Sequence, residues 1–169
     1  MPHETFMRLA LQQAEQALAG NEFPVGAVIV AGDEPVAMGR RKNSQSETAN
    51  ELDHAEIVAL RDLLARQPDI ARDTLTVYST MEPCLMCYST LLLNGIRTFV
   101  YAYEDAMGGG TGLQLAQLTP LYRGMEPEVR ILPHVLRRES LALFKIFFTS
   151  RENNYWQGSL LAEYTLAQP

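Results

Sequence analysis

Cysteine and histidine are scarce in this sequence, with two Cys and three His among 169 residues. Two cysteines form one disulfide at most, and Cys84 and Cys87 stand too close in the chain to staple a fold. That excludes a disulfide framework and leaves a C-x-x-C pair, which in a reducing compartment points to metal or redox chemistry. Long apolar runs are missing too. None approaches the ~18 residues of a membrane span, and the amphipathic start "MPHETFMRLALQQAEQ" carries no apolar signal block. A soluble, cytoplasmic protein with no membrane partner is expected. Positive charge is also short: 14 Lys and Arg face 20 Asp and Glu, for a net charge of −6. A nucleic-acid-binding domain usually shows a basic face. Here the basic residues gather in two runs, Arg40-Arg41-Lys42 and Arg137-Arg138. Both suit solvated surface, and the first, in a predicted loop just ahead of a motif, suits a binding role equally well. Repeats, low-complexity tracts and linkers are absent. A chain of this length, 47% hydrophobic and 20% charged, fits one domain around one core.

The periodicity of what remains sets out the elements. Phe6, Leu9, Leu11 and Leu18 with interspersed alanines predict a first helix, ended at Gly20-Asn21. "PVGAVIVA" is near-continuously apolar, as a strand buried on both faces would be. Ala31-Gly32-Asp33 is turn chemistry, and "PVAMG" reads as the partner strand. The polar stretch 41–53, "RKNSQSETANELD", reads as a loop. Ile57, Leu60 and Leu64 then recur at helical spacing. "TLTVYST" is a β-branched strand. Pro83 opens a second motif helix through Leu93, closed by Asn94-Gly95. "TFVYAY" and "EVRIL" are strands, "GGGTG" is a loop, "RRESLALFKIFF" is a helix, and the tail is helical in part. This alternation predicts an α/β fold with a mixed sheet and helices on both faces.

Two short runs carry the chemistry. In "EPCLMC", Cys84 and Cys87 lie three apart at a helix start, where Cβ atoms are ~5–6 Å apart on one face. Two thiolates on one tetrahedral zinc need their sulfurs ~3.8 Å apart, so the spacing suits joint ligation. The helix N-terminus favours thiolate over thiol. A thioredoxin-like redox pair shares this spacing but needs no distant His-x-Glu. A structural zinc site needs a fourth protein ligand, which neither the terminal His3 nor His134 after its proline offers. "HAEIVAL" supplies His54 as a third ligand, leaving one position open, which is the catalytic pattern for zinc. Residues i and i+2 of a helix do not face each other. His54 and Glu56 can therefore share a site only if the motif straddles the helix mouth, with His54 near the N-cap. Glu56 then suits holding water and carrying protons, although a first-turn glutamate also suits the helix dipole alone.

The H-x-E and P-C-x-x-C pattern, standing as "HAE" at 54–56 and "PCLMC" at 83–87, resembles the zinc-dependent nucleobase deaminases of the cytidine/deoxycytidylate deaminase superfamily. From about Phe6 to Phe148 the chain most resembles the bacterial tRNA-specific adenosine deaminases. The resemblance implies a three-layer α/β/α cytidine-deaminase-like fold with a central mixed five-stranded sheet. It implies one Zn2+ per subunit on His54, Cys84 and Cys87, and Glu56 as the catalytic proton carrier in hydrolysis of a cyclic amidine with release of ammonia. Asn43, eleven residues before His54, matches a pocket asparagine, Asp105 in "DAMGGGTG" an aspartate beside the target ribose, and Ala55 belongs with them among the substrate contacts. A homodimer is implied, with "CLMCYSTLLLNG" serving as an interface helix or simply as core.

The chain also departs from that pattern. "RKNSQ" replaces Trp-Asn-Arg-Pro, and Leu52-Asp53 replaces Thr-Ala. Residues 153–169 hold no Lys or Arg, whereas tRNA enzymes commonly end in a basic segment. Tyr155 and Trp156 could form a lid over a small pocket or merely pack. One deaminase domain over 1–169 is expected, with 153–169 as a C-terminal tail extension. The expected reaction is adenosine to inosine in a tRNA anticodon stem-loop, and hence tRNA processing. The alternative is a free nucleobase or nucleoside: guanine, adenine, cytosine or a modified purine. A zinc-stabilised binding module without activity would have no use for Glu56.

Overall fold

The computed structural model describes residues 2–45 and 47–169. Helix α1 (Pro2–Ala19) leads into β1 (Gly26–Ala31), β2 (Glu34–Arg40) and α2 (Ala55–Arg66). Then come β3 (Leu75–Met81), α3 (Leu85–Leu93), β4 (Thr98–Tyr103), the short α4 (Pro120–Arg123), β5 (Arg130–Leu132), α5 (Arg137–Thr149) and α6 (Leu160–Ala167). One five-stranded sheet runs in the order β2-β1-β3-β4-β5. β1 is antiparallel to β2 and β3, while β3, β4 and β5 are parallel. The sheet is mixed and flanked by helices on both faces, as expected of a cytidine-deaminase-like α/β/α fold.

Alternation along the strands feeds two cores, because successive side chains point to opposite faces. Val28, Val30, Tyr78, Val100 and Ala102 meet the apolar stripe of α1, namely Phe6, Met7, Ala10 and Leu11. Ala27, Ile29, Val77 and Phe99 meet Ala59, Leu60 and Leu63 of α2 and Tyr88, Leu91 and Leu92 of α3. Every residue from Gly26 to Val30 is buried, which is why β1 carries no polar alternation. Two sequence expectations shift. The first helix already begins at Pro2. The second motif helix begins at Leu85 and not at Pro83, because Cys84 is still extended, at φ −65° and ψ 169°, and takes the N-cap.

Topology gathers the site. β2 and β3 both run antiparallel to β1, so they point the same way, and β4 is parallel to β3. The loops leaving β2, β3 and β4 therefore emerge at one sheet edge. These are the loops that carry His54, Cys84 and Asp105. Gly39 sets how close α2 may come to β2. A Cβ there would lie 2.3 Å from the Ala55 carbonyl oxygen and 2.6 Å from the Ala59 nitrogen. Any other residue would push away the first turn of α2.

Candidate metal centre and pocket

Two helix N-caps face each other across the centre. His54 caps α2 in extended conformation, φ −65° and ψ 150°, without a side-chain capping bond. Its ring is thus free for other work, and Glu56 follows in the first turn. This is the straddling geometry that lets residues 54 and 56 face one site. Cys84 likewise caps α3 without using its side chain. An isolated bridge between Cys84 and Gly109 pins that cap to the loop after β4. Gly110 fits there only because it lacks a Cβ, which would lie 2.7 Å from the Leu85 nitrogen.

The donor atoms of His54, Cys84 and Cys87 lie within 4.8 Å of one another, the one such cluster among the described residues. His54 Nδ1 is 3.5 Å from both Cys84 Sγ and Cys87 Sγ. Zn–S bonds of ~2.3 Å and Zn–N bonds of ~2.0–2.1 Å at a tetrahedral angle put nitrogen and sulfur about 3.5 Å apart. The cluster has the donor chemistry and the edge lengths of a three-ligand zinc site. His3 and His134 are elsewhere, against Tyr78 and Glu104 respectively.

Charge in the centre follows from burial and contact. A hydrogen bond from Cys87 holds the Cys84 thiol down at about 4, a thiolate at neutral pH. The same bond, then burial and the Glu56 charge, push the Cys87 thiol up. Burial pulls the His54 imidazole down, but Cys84, Glu56 and Glu51 together outweigh it and lift it to about 9. Glu56 is 3% exposed. Burial first, and then the Cys84 charge, raise its carboxyl above the usual range. Ser79 of β3 donates to Glu56 Oε1 at 3.1 Å, and Cys87 Sγ lies 3.6 Å from Oε2. A buried carboxyl poised this way can both take and give a proton.

A cavity of about 300 Å³ opens onto this centre. It is lined by His54, Ala55, Glu56 and Cys84, by Glu82, Asp105 and Met107, and by Tyr155, Trp156 and Leu161 of the tail. Ala55 and Asp105, expected as substrate contacts, are both among the lining residues. Asp105 accepts from the Met107 and Gly108 nitrogens at 3.0 and 2.8 Å, and burial raises its carboxyl. Asn43 is not among the lining residues. Its amide donates to Asp53 Oδ2 at 2.8 Å, and its backbone is left-handed at φ 54°. Sequence reasoning missed four residues here. Glu51 accepts from the other ring nitrogen of His54, Nε2, at 3.0 Å. Ser79 holds Glu56. Glu82 accepts from the Asp105 and Thr111 nitrogens, both at 3.2 Å, and so ties the loop after β4 to the end of β3. Arg41, read as part of a basic run suited to solvated surface or to binding, is 2% exposed. Its guanidinium donates to the Lys42 and Asn50 carbonyls, and so it organises the loop from inside. Only the glutamate of "EPC" gave any sequence signal, by its place in the motif.

The segment 1–103 matches the family model of the cytidine and deoxycytidylate deaminase zinc-binding region. The chain belongs to this deaminase family. A tRNA-specific adenosine deaminase of Rickettsia bellii is 32% identical over 142 residues, 84% of this chain and 97% of the relative. A structure from work on A-to-I editing by tRNA:A34 deaminases superposes at a TM-score of 0.65 and 25% identity, over 82% of this chain and 98% of the other. Guanine deaminase of Bacillus subtilis superposes at 0.54 and 31% identity, over 62% and 66%. This member of the deaminase family is a zinc-dependent hydrolase of a cyclic amidine in a purine or pyrimidine base. No helix among the described residues is long and apolar enough to cross a membrane.

The tail of this deaminase is anchored from below. Arg137 Nε donates to Glu104 Oε2 and Tyr164 Oη donates to Oε1, each at 2.8 Å. Arg137 also donates to Gln168, so it is no free surface cation. Burial alone would raise Glu104, but Arg137, a backbone bond and Tyr164 hold it at about 2. A depressed carboxylate stabilises the fold fully above its ordinary pKa of 4.5, and that contribution is lost as pH falls through about 2. Solvent screening leaves roughly 1–2 kcal/mol at stake. Urea melts at both ends of this window are expected to show a smaller acid-induced loss in Glu104→Gln than in the parent chain.

Proposed function

We infer that this deaminase acts on a free nucleobase or nucleoside, with guanine the first candidate, and not on a base within a polynucleotide. The observation that carries the reading is the tail. Tyr155, Trp156 and Leu161 line the same cavity as His54, Glu56 and Cys84. A tail on the cavity wall is expected to bar the backbone of a looped-out nucleotide. Residues 153–169, read as an extension of a single domain over 1–169, thereby act as a lid. Charge supports this. Glu51, Glu56, Glu82 and Asp105 line the cavity against one guanidinium, Arg41, which is already committed to carbonyls. Phosphates would be repelled, whereas a neutral ring is not. The likeness to guanine deaminase of Bacillus subtilis supports the same class. The Rickettsia bellii relative supports the competing substrate, adenosine in tRNA.

His54, Cys84 and Cys87 would hold the zinc, which when bound would supply a Lewis acid to make water a nucleophile near neutral pH. Glu56 takes the proton of the attacking water, gives it to a ring nitrogen, and passes the next to the departing amine. A C–O bond forms, the exocyclic C–N bond breaks, and ammonia leaves, with no redox partner needed. Ser79 keeps the Glu56 carboxyl oriented. Ala55 and Asp105 contact the base, while Asn43 acts indirectly, through Asp53. The homodimer and the cytoplasmic setting belong to the same reading. Leu85 and Leu93 of α3, 55% and 53% exposed, support a subunit interface, and sedimentation as a monomer would remove it.

The deciding experiment offers the zinc-loaded chain guanine, adenine, cytosine, their nucleosides and an anticodon stem-loop at low salt. Ammonia is expected from a free base or nucleoside, and no inosine from the stem-loop. Inosine in the stem-loop with every small amine untouched would reverse the assignment.

A further inference from the structure

We propose that Glu51 is the positioning residue for the metal ligand His54, and that Tyr155 of the tail acts on the metal centre through it. The proposal goes beyond the substrate assignment and holds whichever base is deaminated. Three donors converge on a single oxygen. His54 Nε2 lies 3.0 Å from Glu51 Oε2, the Tyr155 hydroxyl 2.9 Å and Arg41 Nη2 3.4 Å. Yet the Glu51 side chain is 60% exposed, a setting in which a glutamate ordinarily keeps no fixed partner. The loop explains why this one does. Asn50 Oδ1 accepts from the Leu52 and Asp53 nitrogens at 2.8 and 3.0 Å, closing a local turn. Arg41 Nη2 holds the Asn50 carbonyl at 2.7 Å. Glu51 is thus presented by a backbone that a buried arginine fixes from beneath.

The chemistry of an imidazole ligand gives this contact a purpose. His54 can ligate through Nδ1 only if its proton sits on Nε2. A carboxylate accepting from Nε2–H selects that tautomer, fixes the ring plane and raises its basicity as a ligand. Tyr155 completes the arrangement from the far end of the chain. Its ring packs on Phe23 at 5.1 Å, and the Arg41 guanidinium lies 5.5 Å from the ring centroid. Seating of the tail and orientation of the metal ligand therefore share one carboxylate.

Zinc release to a chromophoric chelator tests this without any substrate, so its outcome is independent of which base is turned over. Glu51→Ala is expected to release zinc about 10–100-fold more readily than the parent, and Glu51→Gln, which keeps an acceptor, by less. A slowly exchanging His54 Nε2–H signal is expected by NMR in the zinc-loaded parent, and it should be lost in Glu51→Ala. Tyr155→Phe is expected to loosen zinc by a smaller factor. The double variant Glu51→Ala/Tyr155→Phe should be no worse than Glu51→Ala alone, since both act through one oxygen. Unchanged zinc release in Glu51→Ala, with circular dichroism reporting a native fold, would overturn the positioning role. Fully additive losses in the double variant would overturn the link to the tail.

Discussion

Glu56→Gln is expected to lower kcat by ~10²–10⁴-fold while leaving one zinc per chain. The amide keeps the shape of the side chain and can still accept from the Ser79 hydroxyl, which lies 3.1 Å from Oε1. What it loses is the basicity that takes a proton and the acid that returns it. Because burial already raises the Glu56 carboxyl, removing its charge relieves a desolvation cost, and the melting temperature should hold or rise. Turnover of whichever base proves active, measured beside metal content and a thermal melt, separates these effects. A Glu56→Gln variant as fast as the parent would remove this carboxyl from the proton path altogether.

Cys87→Ala should act on the metal and on the fold together. Cys87 is fully buried at the third position after the α3 cap, and its sulfur is 3.5 Å from His54 Nδ1. Without it two donors remain, too few to compete with water for zinc. A metal that binds only the native state stabilises by linkage, about 4 kcal/mol at a thousand times its dissociation constant. For a chain of this size that is roughly 8–16 °C in melting temperature. The substitution is expected to abolish stoichiometric zinc and to lower the melt by that order. Chelator should bring the parent down similarly and leave Cys87→Ala unmoved. A parent melt indifferent to chelator would mean that the cluster binds no metal of consequence.

How much of this was legible in the sequence depends on the range of the signal. The metal cluster was, because each motif is a helix start and its spacing is local. The places of the strands along the chain, and the two-faced burial of β1, followed from apolar runs and β-branched residues, whereas their order in the sheet did not. Arg41 was read as solvated surface or a binding cation, neither of them buried, because nothing local distinguishes an arginine that solvates backbone carbonyls from one that faces solvent. Asn43 matched a family position, but its amide goes to Asp53, a partner set by the fold of the 41–53 loop. Glu51 looked like an ordinary loop glutamate. Its role depends on Tyr155, over a hundred residues away, and on a turn whose only sequence trace is Asn50 ahead of Asp53. The start of α3 slipped two residues because Cys84 stays extended to pair with Gly109, a tertiary contact that overrides the preference of proline for a first helical turn.

The single tryptophan of the chain stands at the cavity rim, 43% exposed and edge-on to Tyr155 at 5.5 Å. An indole half in water, beside a tyrosine that shares a carboxylate with a metal ligand, is a built-in optical reporter. Its emission has one origin in the whole molecule, so occupancy of the pocket, seating of the C-terminal strap and loss of zinc can all be followed by intrinsic fluorescence with no label attached.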